Sequence, residues 1–385
     1  MILSANTGIN RIVAHLWLHQ LAWGAATAFS MVFLLREGVS PGAIFLAVAA
    51  TLALRLVLRP LVLWLAPALG LRRSLILGTL LVAARFPFLA LVQGPDLALA
   101  AYCGVTALGD VFYCTCYHAA FATIGDAERR GRQVGGSRVY YTIASVLGPL
   151  LGGILLARFG PWAAFGAASL FEATAVLPFL GLKAAAVPRL APRGAFAEAR
   201  TGLLLFCTDG WIILASGIAW DIIAFRALGT RYDAFGGLLA LSALAGAVGG
   251  MVLGRFIDRG HGGSAVRLSA FGCAAALAVK ALAGNDPVLV VAAAALATTV
   301  SGLYYPTLLT AFYNASKSSP CALRFQFGAE SGWDIGAALG AVVAAAVWRW
   351  GAPLQWVIVL ALPAVAAQAY LLNGRYRLTR AAAAT

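Results

Sequence analysis

Apolar stretches of about 20 residues, the length an α-helix needs to cross a bilayer, follow one another along this chain almost without pause. Twelve are predicted, near 12–35, 41–66, 74–93, 97–124, 137–158, 161–182, 203–225, 235–256, 264–284, 287–312, 322–348 and 352–373. Hydrocarbon offers no partner to a backbone N–H or C=O, so each stretch must satisfy its own as a helix. Composition agrees: 62% of the 385 residues are hydrophobic and only 11% charged, where a soluble domain carries about 25%. The expected fold class is an all-α polytopic membrane protein. The first run is long and lacks a small-residue cleavage site, so it reads as a retained span and not a signal peptide.

The net charge of +14 raises the question of a nucleic-acid partner, and its distribution answers against one. With twelve spans both termini share a side, and nineteen cations fall there, including Arg72, Arg73, Arg129, Arg130, Arg132 and Arg138. Five fall opposite: Arg36, Arg158, Arg226, Arg231 and Arg349. The positive-inside rule therefore places both termini in the cytoplasm, and the expected location is a bacterial inner (cytoplasmic) membrane, multi-pass. The six cysteines lie within or at the ends of apolar runs with no metal-ligand spacing. They read as small embedded side chains, and no metal or other cofactor is expected.

The longest polar connection, "KAAAVPRLAPRGAFAEARTG" at 183–202, separates six spans from six. It predicts an N-terminal six-helix bundle (1–182), a cytoplasmic linker (183–202), a C-terminal six-helix bundle (203–374) and a cytoplasmic tail (375–385). A glycine-marked charged turn recurs at one loop position in each half: "LAPALGLRRSL" (65–75) and "GRFIDRGHG" (254–262). Such internal repetition marks duplicated transporters.

"GRFIDRGHG" resembles the cytoplasmic signature loop of the major facilitator superfamily, and "GPLLGG" (148–153) resembles that family's fifth-span motif, with Gly135 matching its earlier glycine and Ala144 replacing another. The resemblance implies two pseudo-symmetric bundles rocking around a midplane site. It also implies a gate: Gly254, Asp258 and Arg259 meeting the entry of span five near Ser137–Arg138, with a carboxylate favoured at the positive end of a helix. In the first-half loop Pro67 and Ala68 stand where Asp and Arg are expected, so the latch is expected to be one-sided. Gly148, Pro149 and Gly152 join the gating set, because glycines admit a close helix and Pro149 bends its own. The same motif is associated with antiporters in the family. Gly332, Gly336 and Gly340 on span eleven read as another packing face.

An ionisable group at membrane depth costs about 2.5–3.5 kcal/mol on insertion scales and usually faces a bundle interior or aqueous cavity. Span one carries His15 and His19 with Trp23 on one face, span two Arg55 and Arg59, span three Arg85, and span four Asp110 and His118. Span six carries Glu172, span seven Asp209 and Asp221, span nine Lys280, and span eleven Glu330 and Asp334. Arg55 and Asp110 both lie about 20 Å from the outer ends of their helices. They can form a structural ion pair, or they can line the cavity. The excess of cations in the first half and acids in the second predicts a cavity with one cationic and one anionic wall.

Family geometry implies that spans one, four, seven and ten face the cavity and that the third, sixth, ninth and twelfth stand outside. Arg85, Glu172 and Lys280 are accordingly assigned to structure. The candidate substrate and proton site is Asp334, Glu330, Asp110, His118, Asp209, Arg55, Arg59 and His19, with Tyr113, Tyr117 and Tyr305 as aromatic contacts. A desolvated carboxylate favours its neutral form, which fits Asp334 first, then Glu330, for carrying a proton.

No nucleotide loop, nucleophile motif or metal cluster points to an enzyme. The leading expectation is a monomeric secondary transporter of a small organic solute, exporting it by proton antiport. The alternative is proton-coupled uptake of an organic anion or zwitterion. A third reading is an assembly factor or receptor of the same fold that does not transport.

Overall fold

The computed structural model describes residues 6–124, 130–183, 187–196, 199–258 and 262–384. Every element among them is helical. Nine helices are long and apolar enough to cross a membrane among the described residues. One of these, Tyr140–Leu180, takes two of the sequence-predicted segments, five and six, because the chain turns at Gly160 with φ +80°. Tyr232–Asp258 and Gly262–Leu282 stand where the eighth and ninth segments are predicted.

Helix starts follow capping chemistry. Asn6 accepts from the Ile9 amide, Ser40 from that of Ala43 with Pro41 following, and Asp286 from those of Val288 and Leu289, each satisfying an orphan donor of a first turn. Spans one, two and seven, which carry candidate site residues, are interrupted inside. Span one runs Thr7–Ala25, passes a 3₁₀ turn and resumes at Ser30–Arg36. Span two breaks between Pro41–Leu58 and Pro60–Leu69, where Pro60 has no amide to continue the ladder. Span seven passes through a π-turn at Trp211–Ala215, a feature frequent at functional sites.

The glycine faces carry the closest packing. A Cβ at Gly148 would lie 2.9 Å from Leu21 O and 3.1 Å from Gly24 Cα of span one, and one at Gly152 would overlap Ala25. On its other side, a Cβ at Gly153 would lie 2.7 Å from Tyr232 O and 3.3 Å from Gly236 Cα, and Gly236 lies against the Pro149 carbonyl. Span five is therefore held between span one and span eight. Span eleven uses Gly328, Gly332 and Gly336 against Ala199, Leu203 and Cys207 of span seven.

The apolar core is divided by depth. Toward the outer ends of the predicted topology, one cluster joins both halves of the chain: Phe29, Phe33 and Phe45 pack with Phe225, Phe235 and Val347. Phe29 meets Tyr232 and Phe235 at ring distances of 6.4 and 5.7 Å, and Phe225 meets the same two rings at 5.4 and 5.7 Å. Toward the inner ends the described residues form two clusters. One draws on the first half and the start of span eleven (Cys321, Leu323), the other on the second half alone, around Phe206, Phe312 and Phe325.

Candidate functional site

Spans two and eleven run antiparallel and side by side. Gly42 lies against Trp348 near one end, where a Cβ would come within 2.6 Å of the indole Cδ1. Fourteen or so residues deeper, about 21 Å at helical rise, the same two helices bring their charges together. Arg55 and Arg59 stand one turn apart on span two, and Glu330 and Asp334 one turn apart on span eleven.

Asp334 is fully buried between both arginines. Arg59 Nη2 donates to its Oδ2, and Arg55 Nε stands 3.0 Å from its Oδ1. Arg55 Nη2 also lies 3.7 Å from Glu330, whose other oxygen is 3.8 Å from His118 Nε2 of span four. Arg59 Nη1 donates to Thr115 Oγ1 at 3.0 Å. Asp110 of span four accepts from Arg55 at 3.4 Å and from Arg85 of span three at 3.2 Å, and Arg85 donates further to Thr27 at 2.6 Å. The Trp333 ring covers Arg55, with its centroid 5.5 Å from the guanidinium carbon, a favourable cation–π approach.

The cationic and anionic walls expected on opposite sides of a cavity thus meet as an ionic seam. The pairing has a physical reason: charges taken from water are tolerated at membrane depth when paired and hydrogen-bonded. Its hydrogen bonding is incomplete. Buried Nε atoms of Arg55, Arg59 and Arg85, and Oδ1 of Asp334, have no aligned hydrogen-bond partner.

Six sequence-predicted residues, Asp334, Glu330, Asp110, His118, Arg55 and Arg59, fall in this one network. The Arg55–Asp110 pair exists, and Asp110 is shared with Arg85. His19 belongs to a second cluster, where its Nδ1 lies 2.8 Å from the buried Glu172 carboxylate. There its ring stacks on Tyr113 at 4.4 Å, while Tyr113 OH pairs with His15 Nε2 at 3.0 Å. Tyr117 stacks on Tyr113 at 5.7 Å and meets His118 edge-on at 5.4 Å, touching both clusters.

Asp209 sits in a third group, accepting from Tyr304 OH at 2.7 Å. The same hydroxyl lies 2.6 Å from Gln368 Oε1, and Tyr305 stands edge-on to Tyr304 at 5.4 Å. One hydroxyl proton cannot serve two acceptors, and Gln368 Nε2 has no hydrogen-bond partner. Turning that amide lets Nε2 donate to Tyr304 while Tyr304 donates to Asp209. Asp221 and Lys280 are each other's charged neighbours, and Lys280 also lies over Trp220 at 4.9 Å.

Arg85 and Glu172, assigned to structure from their outer helices, anchor Asp110 and His19 directly. Thr27, Thr115, Trp333 and Gln368 were not singled out from sequence. Gln368, an amide inside the apolar run 356–372, carried a readable signal, whereas the hydroxyls did not. The gating residues divide. Gly148, Pro149 and Gly152 pack as described above. Arg259 lies outside the described residues, and the side chains of Gly254, Asp258 and Arg138 lie outside those described.

A family model described as the Major Facilitator Superfamily matches residues 16–322. Among solved structures, that of the human organic anion transporter MFSD10 (TETRAN) matches with a TM-score of 0.72 at 16% identity, covering 96% of this chain and 100% of that one. The nucleoside transporter NupG matches with a TM-score of 0.65 at 13% identity, covering 96% and 98%. A bacterial homologue of the iron transporter ferroportin, in an inward-facing state, gives 0.67 at 12% identity, covering 97% and 99%. At these identities the likeness shows the fold. No curated protein sequence matches this chain.

Proposed function

The chain belongs to the Major Facilitator Superfamily, and from that premise we propose that it moves a small organic anion together with protons by alternating access. Membership makes it a multi-pass membrane transporter and not an enzyme. The finer reading is carried by one observation: two adjacent arginines of span two clasp a buried aspartate of span eleven.

Two arginines one turn apart form a receptor for an anion. In the docked state Asp334 occupies it. A solute carboxylate that takes the place of Asp334 leaves that acid desolvated and without counter-charge, where its neutral form is favoured. Binding solute and binding a proton then become one event, and both travel in the same direction. In this reading residues 1–182 and 203–374 form two bundles of six spans each, joined by 183–202, that rock about the site. The apolar outer core would seal the side facing away from the cytoplasm, with the ionic seam lying deeper.

Proton antiport is the second reading, and one observation favours it. Asp209 makes no ion pair among the described residues, which suits exchange of a proton for a cationic solute. The fifth-span motif lends it less support, because its glycines are taken up by packing against spans one and eight.

Proteoliposomes with an imposed pH gradient test the proposal. Wild-type protein should accumulate organic anions when the trans side is alkaline, and Asp334→Asn should lose that dependence. An Asp334→Asn protein whose uptake still follows the pH gradient in full would remove Asp334 from the coupling.

A further inference from the structure

We propose that the solute is a short dicarboxylate, carried with two protons in an electroneutral step; this rests on the proton-coupled anion reading above. The seam supplies the argument through its charge inventory. The first half contributes Arg55, Arg59 and Arg85 against Asp110, an excess of two cations. The second half contributes Glu330 and Asp334, two anions. Docked, the seam is neutral; parted, each side carries two uncompensated charges.

The pattern of the two anions adds spacing to charge. Residues one helical turn apart present their Cβ atoms about 5–6 Å from each other. Glu330 and Asp334 therefore amount to a built-in dicarboxylate lodged on an arginine pair. A free dicarboxylate of similar spacing matches this arrangement group for group. A monocarboxylate leaves one guanidinium uncompensated, and a phosphate monoester concentrates its charge at one end. Arg59 Nε, buried without a hydrogen-bond partner, is a donor that the internal acids do not use, and Arg55 Nε, 3.0 Å from Asp334 Oδ1 but not aligned with it, is one they use poorly.

Among the described residues Glu330 and Asp334 form ion pairs with no arginine or lysine besides Arg55 and Arg59. Around the seam span four presents Asp110, Cys114, Thr115 and His118, span seven Asp209, with Tyr304 of span ten beyond it, and span eleven Trp333. Lys280 is the neighbour of Asp221 instead. Each displaced carboxylate takes one proton from water to become a neutral acid. His118 lies near enough to hold the proton of Glu330 as an imidazolium, which leaves the count unchanged. Two negative charges of solute and two protons cross together, and net charge transfer is zero.

The test uses the purified full chain in liposomes, with pH gradient and membrane potential set independently. The probes are four- and five-carbon dicarboxylates, the matching monocarboxylates and a phosphate monoester. The pH gradient should drive dicarboxylates at least tenfold faster than monocarboxylates, with two protons per solute, and potential alone should not change the flux. Glu330→Gln should remove one proton, so that each turnover carries one net negative charge and responds to potential. Potential-sensitive dicarboxylate flux in the unmutated protein would overturn the stoichiometry, and equal transport of monocarboxylates or preference for the phosphate monoester would overturn the solute class. Both readouts stand without the variant if Glu330→Gln does not fold. If a pH gradient drives no anion at all, the parent reading falls, and this one with it.

Discussion

Asp334→Asn changes one charge and almost no volume, which makes it a clean probe of the seam. The side chain is fully buried, with Arg55 at 3.0 Å and Arg59 in direct hydrogen-bond contact. Two unit charges about 4 Å apart attract by about 4 kcal/mol at an effective dielectric constant of about 20. Removing one member of a buried pair costs about 3–5 kcal/mol, whereas replacing both members is often near neutral. The loss should fall mainly on Arg59, which is left with the Thr115 hydroxyl; Arg55 keeps Asp110 and Glu330. Asp334→Asn and Arg59→Gln should therefore each destabilise the protein strongly, and the double variant should recover most of the loss. The expected coupling energy is about 3 kcal/mol. Thermal and denaturant unfolding in detergent, followed by tryptophan fluorescence, measures all four proteins. Additive losses in the double variant would refute the reasoning, because the two residues would then be acting apart.

Gly152→Val places a branched side chain where a Cβ alone overlaps Ala25; the folded yield should fall sharply on gel filtration, while Gly166→Val, which faces open space, should leave it unchanged. Tyr304→Phe removes a donor from the buried Asp209 carboxylate and should cost about 1–3 kcal/mol in the same unfolding assay. Asp96 caps the turn before span four, and donation from the Gln93 and Leu99 amides holds its carboxyl below the usual range. A depressed value favours the folded form above the unfolded pKa and is lost as pH falls through the folded one. Amide exchange at Leu99, corrected for intrinsic rate, should therefore quicken on acidification in the native protein, and should be fast at every pH in Asp96→Ala.

The membrane class and the helical segments were legible because hydrophobicity and length are local properties. The ends of span two were not: the sequence predicts one segment to residue 66, and Pro60 divides it just after Arg59. Arg55, Arg59, Glu330 and Asp334 could be picked out individually, since charges at membrane depth are rare. That they touch could not, because it depends on the register of span two against span eleven, a matter of packing along both helices, as where Gly42 meets Trp348 about 21 Å away. Arg85 and Glu172 were set aside on helix position. A long side chain reaches inward from an outer helix, so position alone does not decide what it meets.

Span five has backbone on both of its crowded sides. Gly153 and Gly236 bring two helices from opposite halves of the chain together with no side chain between them. Interlocked side chains resist rotation, since each must climb over its neighbour; bare backbone offers no such teeth. In the proposed rocking cycle that crossing would serve as a smooth bearing, letting the two halves swivel while the phenylalanines beside it hold the outer mouth shut.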